Sequence, residues 1–202
     1  MNRNTAYNPM TIEGKKTVSL ELYKQLGRAP DVVFVPVGDG CILAGVYKGF
    51  SDLRQFGLIP AVPKIIGVQA ETSAALCRAL WTGAFVAEPA ATLADSICVD
   101  VPRNGLHALR LLQRHQGEML TVSDAEIIRA QAELSATTGL FTEPAGAAAY
   151  AGFRKVSATL GRDATVVILA TGNGLKDSAS AQRGVTVPDA LIASVEDIPE
   201  EG

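Results

Sequence analysis

Three short stretches of this chain, DVVFVPV (Asp31–Val37), KIIGV (Lys64–Val68) and ATVVILA (Ala164–Ala170), are apolar at successive positions instead of alternate ones. A strand with one wet face alternates apolar and polar residues. A strand that is apolar almost throughout is covered on both faces, as in a parallel sheet packed between helices. EMLTV (Glu118–Val122) is a shorter strand candidate. Helical patterns fill the intervals, over Cys41–Gly57, Ser73–Thr82, Leu106–His115 and Pro144–Leu160. Val18, Leu22 and Leu26 recur every fourth residue and predict an amphipathic helix over Lys15–Leu26.

The clearest helix start is SDAE (Ser123–Glu126), a capping box in which the serine and the glutamate reciprocally satisfy free amides. That helix is predicted to run to about Thr138 and stop at Gly139. Strands alternating with helices predict an α/β fold, a three-layer sandwich around a mainly parallel sheet. Residues 1–185 read as one domain portion and 186–202, ending in SVEDIPEEG, as a polar, acidic tail.

Composition excludes several classes of partner. A net charge of −3 gives no electrostatic case for nucleic acid, and no apolar run is long enough to cross a bilayer. MNRNTAYNPM carries no apolar segment of the secretory kind, so a cytoplasmic location is expected. Cys41, Cys77 and Cys98 are widely spaced and form no CxxC pair, which fits a reducing compartment and neither a disulfide frame nor a zinc site. His107 and His115 lie on one predicted helix without further ligands nearby, and read as solvated positions. Trp81, the only tryptophan, reads as the anchor of a helix end.

In open α/β sheets, ligands bind beyond the carboxyl ends of the strands. Three segments fall at such ends or at helix starts. In Val37–Leu43, Gly38 and Gly40 let backbone amides approach an anion, and a helix starting near Cys41 adds free N–H groups and the positive end of its dipole. Glycines after a strand also make an ordinary tight turn, and on the loop alone that reading is the stronger. The Walker A pattern fails because Cys41 and Ile42 follow Gly40, and the dinucleotide fingerprint fails because Gly45 comes too late. TEPAGAAA (Thr142–Ala149) opens a helix with Pro144 in its first turn and the Glu143 carboxylate at its start. ATGNGLKD (Ala170–Asp177) ends a strand at Thr171, with Gly172 and Gly174 clearing space and Lys176 and Asp177 read as solvated.

In this order, NPMTIEGKKT, PVGDGCILAGVYKGF, IIGVQAE, TLADSICVDVPRNG, TEPAGAAA and ATGNGLKD resemble the second half of a fold-type II pyridoxal-phosphate enzyme. That is the tryptophan synthase β superfamily, and within it the likeness is to threonine synthase and its relatives. The resemblance makes Gly38, Asp39, Gly40, Cys41 and Ile42 the loop whose amides bind the phosphate of pyridoxal 5′-phosphate. It makes Thr171 the hydroxyl that meets the pyridine nitrogen, and Glu143 an acidic group near the ring. The implied chemistry is β- or γ-replacement or elimination on a small amino acid or its phosphate ester. Related lyases such as threonine dehydratase or cysteine synthase are the alternative parents. A ligand-binding or partner module that retains the anion loop without chemistry is another reading.

The departures are informative. Asp39 stands where many members carry asparagine, and a carboxylate about 4 Å from a phosphate dianion would cost several kcal/mol. Its side chain is therefore expected to turn away, capping the following helix, while its N–H serves the phosphate. Gly146 stands where threonine synthases often carry serine. The family's Schiff-base lysine lies in a Ser-x-Lys motif in its first half, and no lysine of this chain follows that pattern. No catalytic residue and no metal ligand is assigned. The chain is expected to be the cofactor-binding half, silent alone even if its cofactor seat is retained. An exposed apolar face is expected, with self-association or a complementary N-terminal half to cover it.

Overall fold

The computed structural model describes residues 6–186 and Ser194; most of the expected tail lies outside the described residues. Four strands form one all-parallel sheet in the order β3-β2-β1-β4, with β1 at Val32–Pro36, β2 at Lys64–Ala70, β3 at Glu118–Val122 and β4 at Val166–Ile168. The α/β fold and parallel sheet are those expected from the continuous apolar runs. Every residue of β1 is buried, because the strand has neighbours on both edges and helices on both faces.

One face packs against α3 (Cys41–Gln55), α4 (Ala75–Thr82) and α5 (Gly105–His115) through Val33, Val35, Leu43, Tyr47, Phe50, Leu76 and Leu112. The other packs against α6 (Asp124–Thr138) and α7 (Pro144–Val156) through Phe34, Ile66, Val68, Ile127 and the alanines of α7. Phe34 meets Phe153 edge-on, with ring centroids 5.7 Å apart. Small residues bring α7 close to the sheet: a Cβ on Gly152 would come within 3.0 Å of a Val68 methyl. Ser123 and Glu126 form the expected capping box, and Gly139 closes α6 in the left-handed region at φ 73°.

Four local expectations are corrected. The helix foreseen over Lys15–Leu26 is two, α1 (Met10–Lys15) and α2 (Thr17–Leu26), separated at Lys16. Its ammonium bonds Glu13 at 2.8 Å and Asp52 at 3.0 Å, tying the junction to α3. The strand over Ala164–Ala170 contracts to three half-buried residues, since β4 has β1 on one edge and no strand on the other among the described residues. Trp81, expected as an anchor, is 82% exposed at the end of α4, and its side chain bonds only back to Cys77 one turn earlier among the contacts described. His115 is not a solvated position: it stacks on Tyr47 at 5.1 Å, and burial, with Arg114 and Arg54, pushes its pKa down.

Apolar side chains are left exposed before α7 and after β4, with Leu140 54%, Leu175 80% and Val185 56% exposed. Among the described residues no helix is long and apolar enough to cross a membrane.

The contact between α3 and the helices before β1 gives a stability test. A Cβ on Gly49 would run into the Lys16 carbonyl oxygen and reach 2.6 Å from Ser19 Cβ, whereas one on Gly14 meets nothing within 4 Å. Gly49→Ala should destabilise by about 1–3 kcal/mol, and Gly14→Ala should stabilise by about 0.5–1 kcal/mol. Urea midpoints of the two variants, moving in opposite directions, check this.

Candidate functional site

β1 and β4 run side by side in parallel, with Phe34 opposite Ile168 and the Leu169 N–H donating to the Phe34 carbonyl at 3.0 Å. Three residues beyond that pair, the chain reaches Val37 on one strand and Thr171 on the other. The glycine loop and the threonine therefore emerge next to each other, at the carboxyl ends of adjacent strands. Open parallel sheets bind their ligands at such a place, which makes it the candidate crevice.

The loop is shaped by close backbone approach. Gly38 lies against the segment 96–99, where a Cβ would come to 3.0 Å from Ile97 Cα. Gly40 takes φ +85° at the start of α3, and a Cβ there would be 2.7 Å from Ala108 Cβ. The Gly40 position thus favours glycine by both backbone conformation and space, and at Gly38 a side chain would press on the neighbouring backbone. The Gly40 carbonyl accepts from Asn104 Nδ2 at 3.1 Å, which fixes the turn from outside. Gly40, at the N-cap of this 15-residue helix, has no side chain with which to cap it. With the helix dipole behind them, the first-turn amides suit a phosphate.

Asp39 turns away from those amides. Its Oδ1 accepts the Arg103 N–H at 2.8 Å, in the turn before α5, so the helix cap expected on α3 does not form. The negative charge nevertheless stays beside the loop. Two unit charges about 4 Å apart at an effective dielectric near 20 interact by about 4 kcal/mol, so orientation alone does not remove the penalty. Cys41 is buried at the helix start, and its thiol pKa is raised, first by burial and then by Asp39, with Lys15 opposing. The helix start does not activate it.

Glu143 is 7% exposed and joins the two sides of the crevice. Its N–H donates to the Gly172 carbonyl at 2.9 Å. Its Oε2 accepts from Ser96 Oγ and from Lys176 Nζ, each at 2.9 Å. Lys176 Nζ also lies 3.4 Å from Ser96 Oγ, so this lysine, exposed as expected, is in addition ion-paired. A Cβ on Gly172 would strike the Glu143 carboxylate, which explains the glycine beside Thr171. The Asp177 carboxylate accepts the Ser180 N–H at 3.0 Å, and bonds to Ser180 hold its pKa low. Thr171 is exposed.

Ser96 is brought in by 95–99, pinned where Ser73 Oγ donates to the Ile97 carbonyl at 3.1 Å and accepts the Val99 N–H at 2.9 Å. Sequence reasoning assigned no task to Ser96, Arg103, Asn104, Lys15 or Lys176. Their signal was faint: PRNG reads as a turn, and only tertiary packing brings it to the loop. Among the described residues no group of His, Cys, Asp or Glu could hold a metal ion.

Fold and site together define a class, an α/β chain whose candidate crevice lies at the carboxyl ends of a parallel sheet. Residues 1–172 match the family model described as pyridoxal-phosphate dependent enzyme, and the chain belongs to that family. Threonine synthase from Methanosarcina acetivorans is 35% identical over 199 residues, covering 96% of this chain and 49% of that protein. Threonine synthase from Mycobacterium bovis is 37% identical over 195 residues, covering 94% and 53%. Among solved structures, a fungal L-serine ammonia-lyase from Rhizomucor miehei superposes with a TM-score of 0.76 at 24% identity, covering 88% of this chain and 56% of that one. That likeness supports the fold. The chain spans about half the length of the curated relatives it matches.

Asp39 supplies the test of this electrostatic picture. Asp39→Asn keeps an acceptor for the Arg103 N–H and removes the charge, so stability should hold within about 0.5 kcal/mol while inorganic phosphate binds severalfold more tightly. Asp39→Ala should lose about 1 kcal/mol of stability with the hydrogen bond. Urea melts and calorimetric phosphate titrations read both.

Proposed function

We propose that this chain is the phosphate-binding and ring-nitrogen-binding half of a pyridoxal-phosphate enzyme of the threonine synthase kind. One observation supports the reading: the parallel register of β1 and β4, whose chains lead into the Gly38–Ile42 loop and Thr171 at the same end of the sheet. The amides of Gly38, Asp39, Gly40, Cys41 and Ile42 hold the phosphate, and Thr171 offers its hydroxyl to the pyridine nitrogen. A neutral hydroxyl does not keep that nitrogen protonated, which suits chemistry at the β and γ carbons of an amino acid. Glu143, clamped by Ser96 and Lys176, fixes the Gly172 backbone and hence the approach of Thr171 to the ring.

When bound, the cofactor supplies the electron sink for elimination or replacement on a small amino acid or its phosphate ester. The lysine that anchors the cofactor covalently comes from a complementary N-terminal segment, which also covers the open β4 side. Without it, the chain alone is catalytically silent, and its exposed apolar side promotes self-association.

Pyridoxine 5′-phosphate tests the reading, because it lacks the aldehyde and cannot be captured by surface lysines. Equilibrium dialysis should give saturable binding to the wild-type chain. Thr171→Val, at an exposed position, should weaken it about threefold to tenfold while leaving inorganic phosphate binding unchanged. Absence of saturable binding, or equal weakening for both ligands, would overturn the assignment.

A further inference from the structure

Lys15 lines the same cleft as the Val37–Ile42 segment, together with Ser96 and Ile97. It reaches that position because α1 rests directly on the first turns of α3. Gly45 leaves the space: a Cβ there would come to 2.5 Å from Lys15 Cβ and 3.0 Å from its carbonyl carbon. With its backbone held on α3, the four-carbon stem carries the ammonium alongside the loop. The charge is felt at Cys41, where it opposes the effects of burial and Asp39.

The neighbouring lysines are engaged elsewhere. Lys16 is paired with Glu13 and Asp52, and Lys48 with Asp52 at 2.6 Å. Among the described residues no hydrogen bond or ion pair engages the Lys15 ammonium. A loop that presents backbone amides to a dianion and keeps the Asp39 carboxylate beside it has a charge deficit, and Lys15 is the cation placed to offset it.

We propose that Lys15 is the cationic partner of a phosphate monoester seated on the Gly38–Ile42 loop. This rests on the cofactor reading above and adds a charged side chain to a site otherwise built from backbone amides. Lys15 binds the phosphate as a point charge and compensates for Asp39 at that loop.

Calorimetric titrations of the full chain with inorganic phosphate, pyridoxine 5′-phosphate, unphosphorylated pyridoxine and O-phosphoserine test this in wild type, Lys15→Met and Lys15→Arg. Lys15→Met should weaken inorganic phosphate and pyridoxine 5′-phosphate alike by about fivefold to tenfold and flatten the dependence of affinity on salt. Lys15→Arg should restore most of the loss, and pyridoxine should be unaffected. A loss confined to O-phosphoserine would overturn the assignment to the loop and place Lys15 at a substrate phosphate. Undiminished binding in Lys15→Met, with wild-type binding intact, would overturn the proposal and leave the cofactor reading standing. A wild-type chain that binds neither phosphate nor pyridoxine 5′-phosphate would remove both.

Discussion

The pairing of β1 with β4 governs the rest of the molecule's design. β1 is buried on both faces and hydrogen-bonded on both edges, so its position is fixed by the whole core. β4 takes its register from β1 alone, through Val32–Val166, Val33–Val167 and Phe34–Ile168. A slip of one residue there would send every β4 side chain to the opposite face of the sheet and undo its packing. It would also move Thr171 relative to the glycine loop, so the geometry of the crevice depends on the same contacts as the core.

Around that frame the crevice is a problem in charge placement. A helix start and several amides favour an anion, the Asp39 carboxylate opposes one, and the Arg103 N–H turns that carboxylate aside. On the far wall, Glu143 is buried but not alone, because Ser96 and Lys176 both donate to it. A buried carboxylate without such partners would be costly. The pairing lets Glu143 hold Gly172, and with it the strand end that carries Thr171, as a rigid part of the site.

Much of the fold was legible because it rests on local pattern. Continuous apolar runs marked β1 and β2, EMLTV matched β3 residue for residue, and SDAE gave both ends of a reciprocal cap. The length of β4 was not legible, since a strand's extent depends on its neighbours and β4 has one among the described residues. The glycine loop was visible as spacing, but its left-handed Gly40 and its contact with Ala108 are tertiary facts. The ion pair of Lys176 with Glu143 was hidden for a similar reason: the two lie far apart in sequence and meet only through the bridge of Thr142 with Asn173. Trp81 misled because a large aromatic is usually buried, whereas here it projects outward.

The proposed division of labour, a chain that seats the cofactor but does not anchor it covalently, has a direct chemical signature. Pyridoxal 5′-phosphate is added to the full chain, the mixture is reduced with borohydride, and the labelled lysines are mapped alongside an assay for turnover of small amino acids and their phosphate esters. No single lysine, Lys15 included, is expected to be labelled stoichiometrically, and no turnover is expected. One uniquely labelled lysine accompanied by turnover would contradict the division and make this chain an enzyme in its own right.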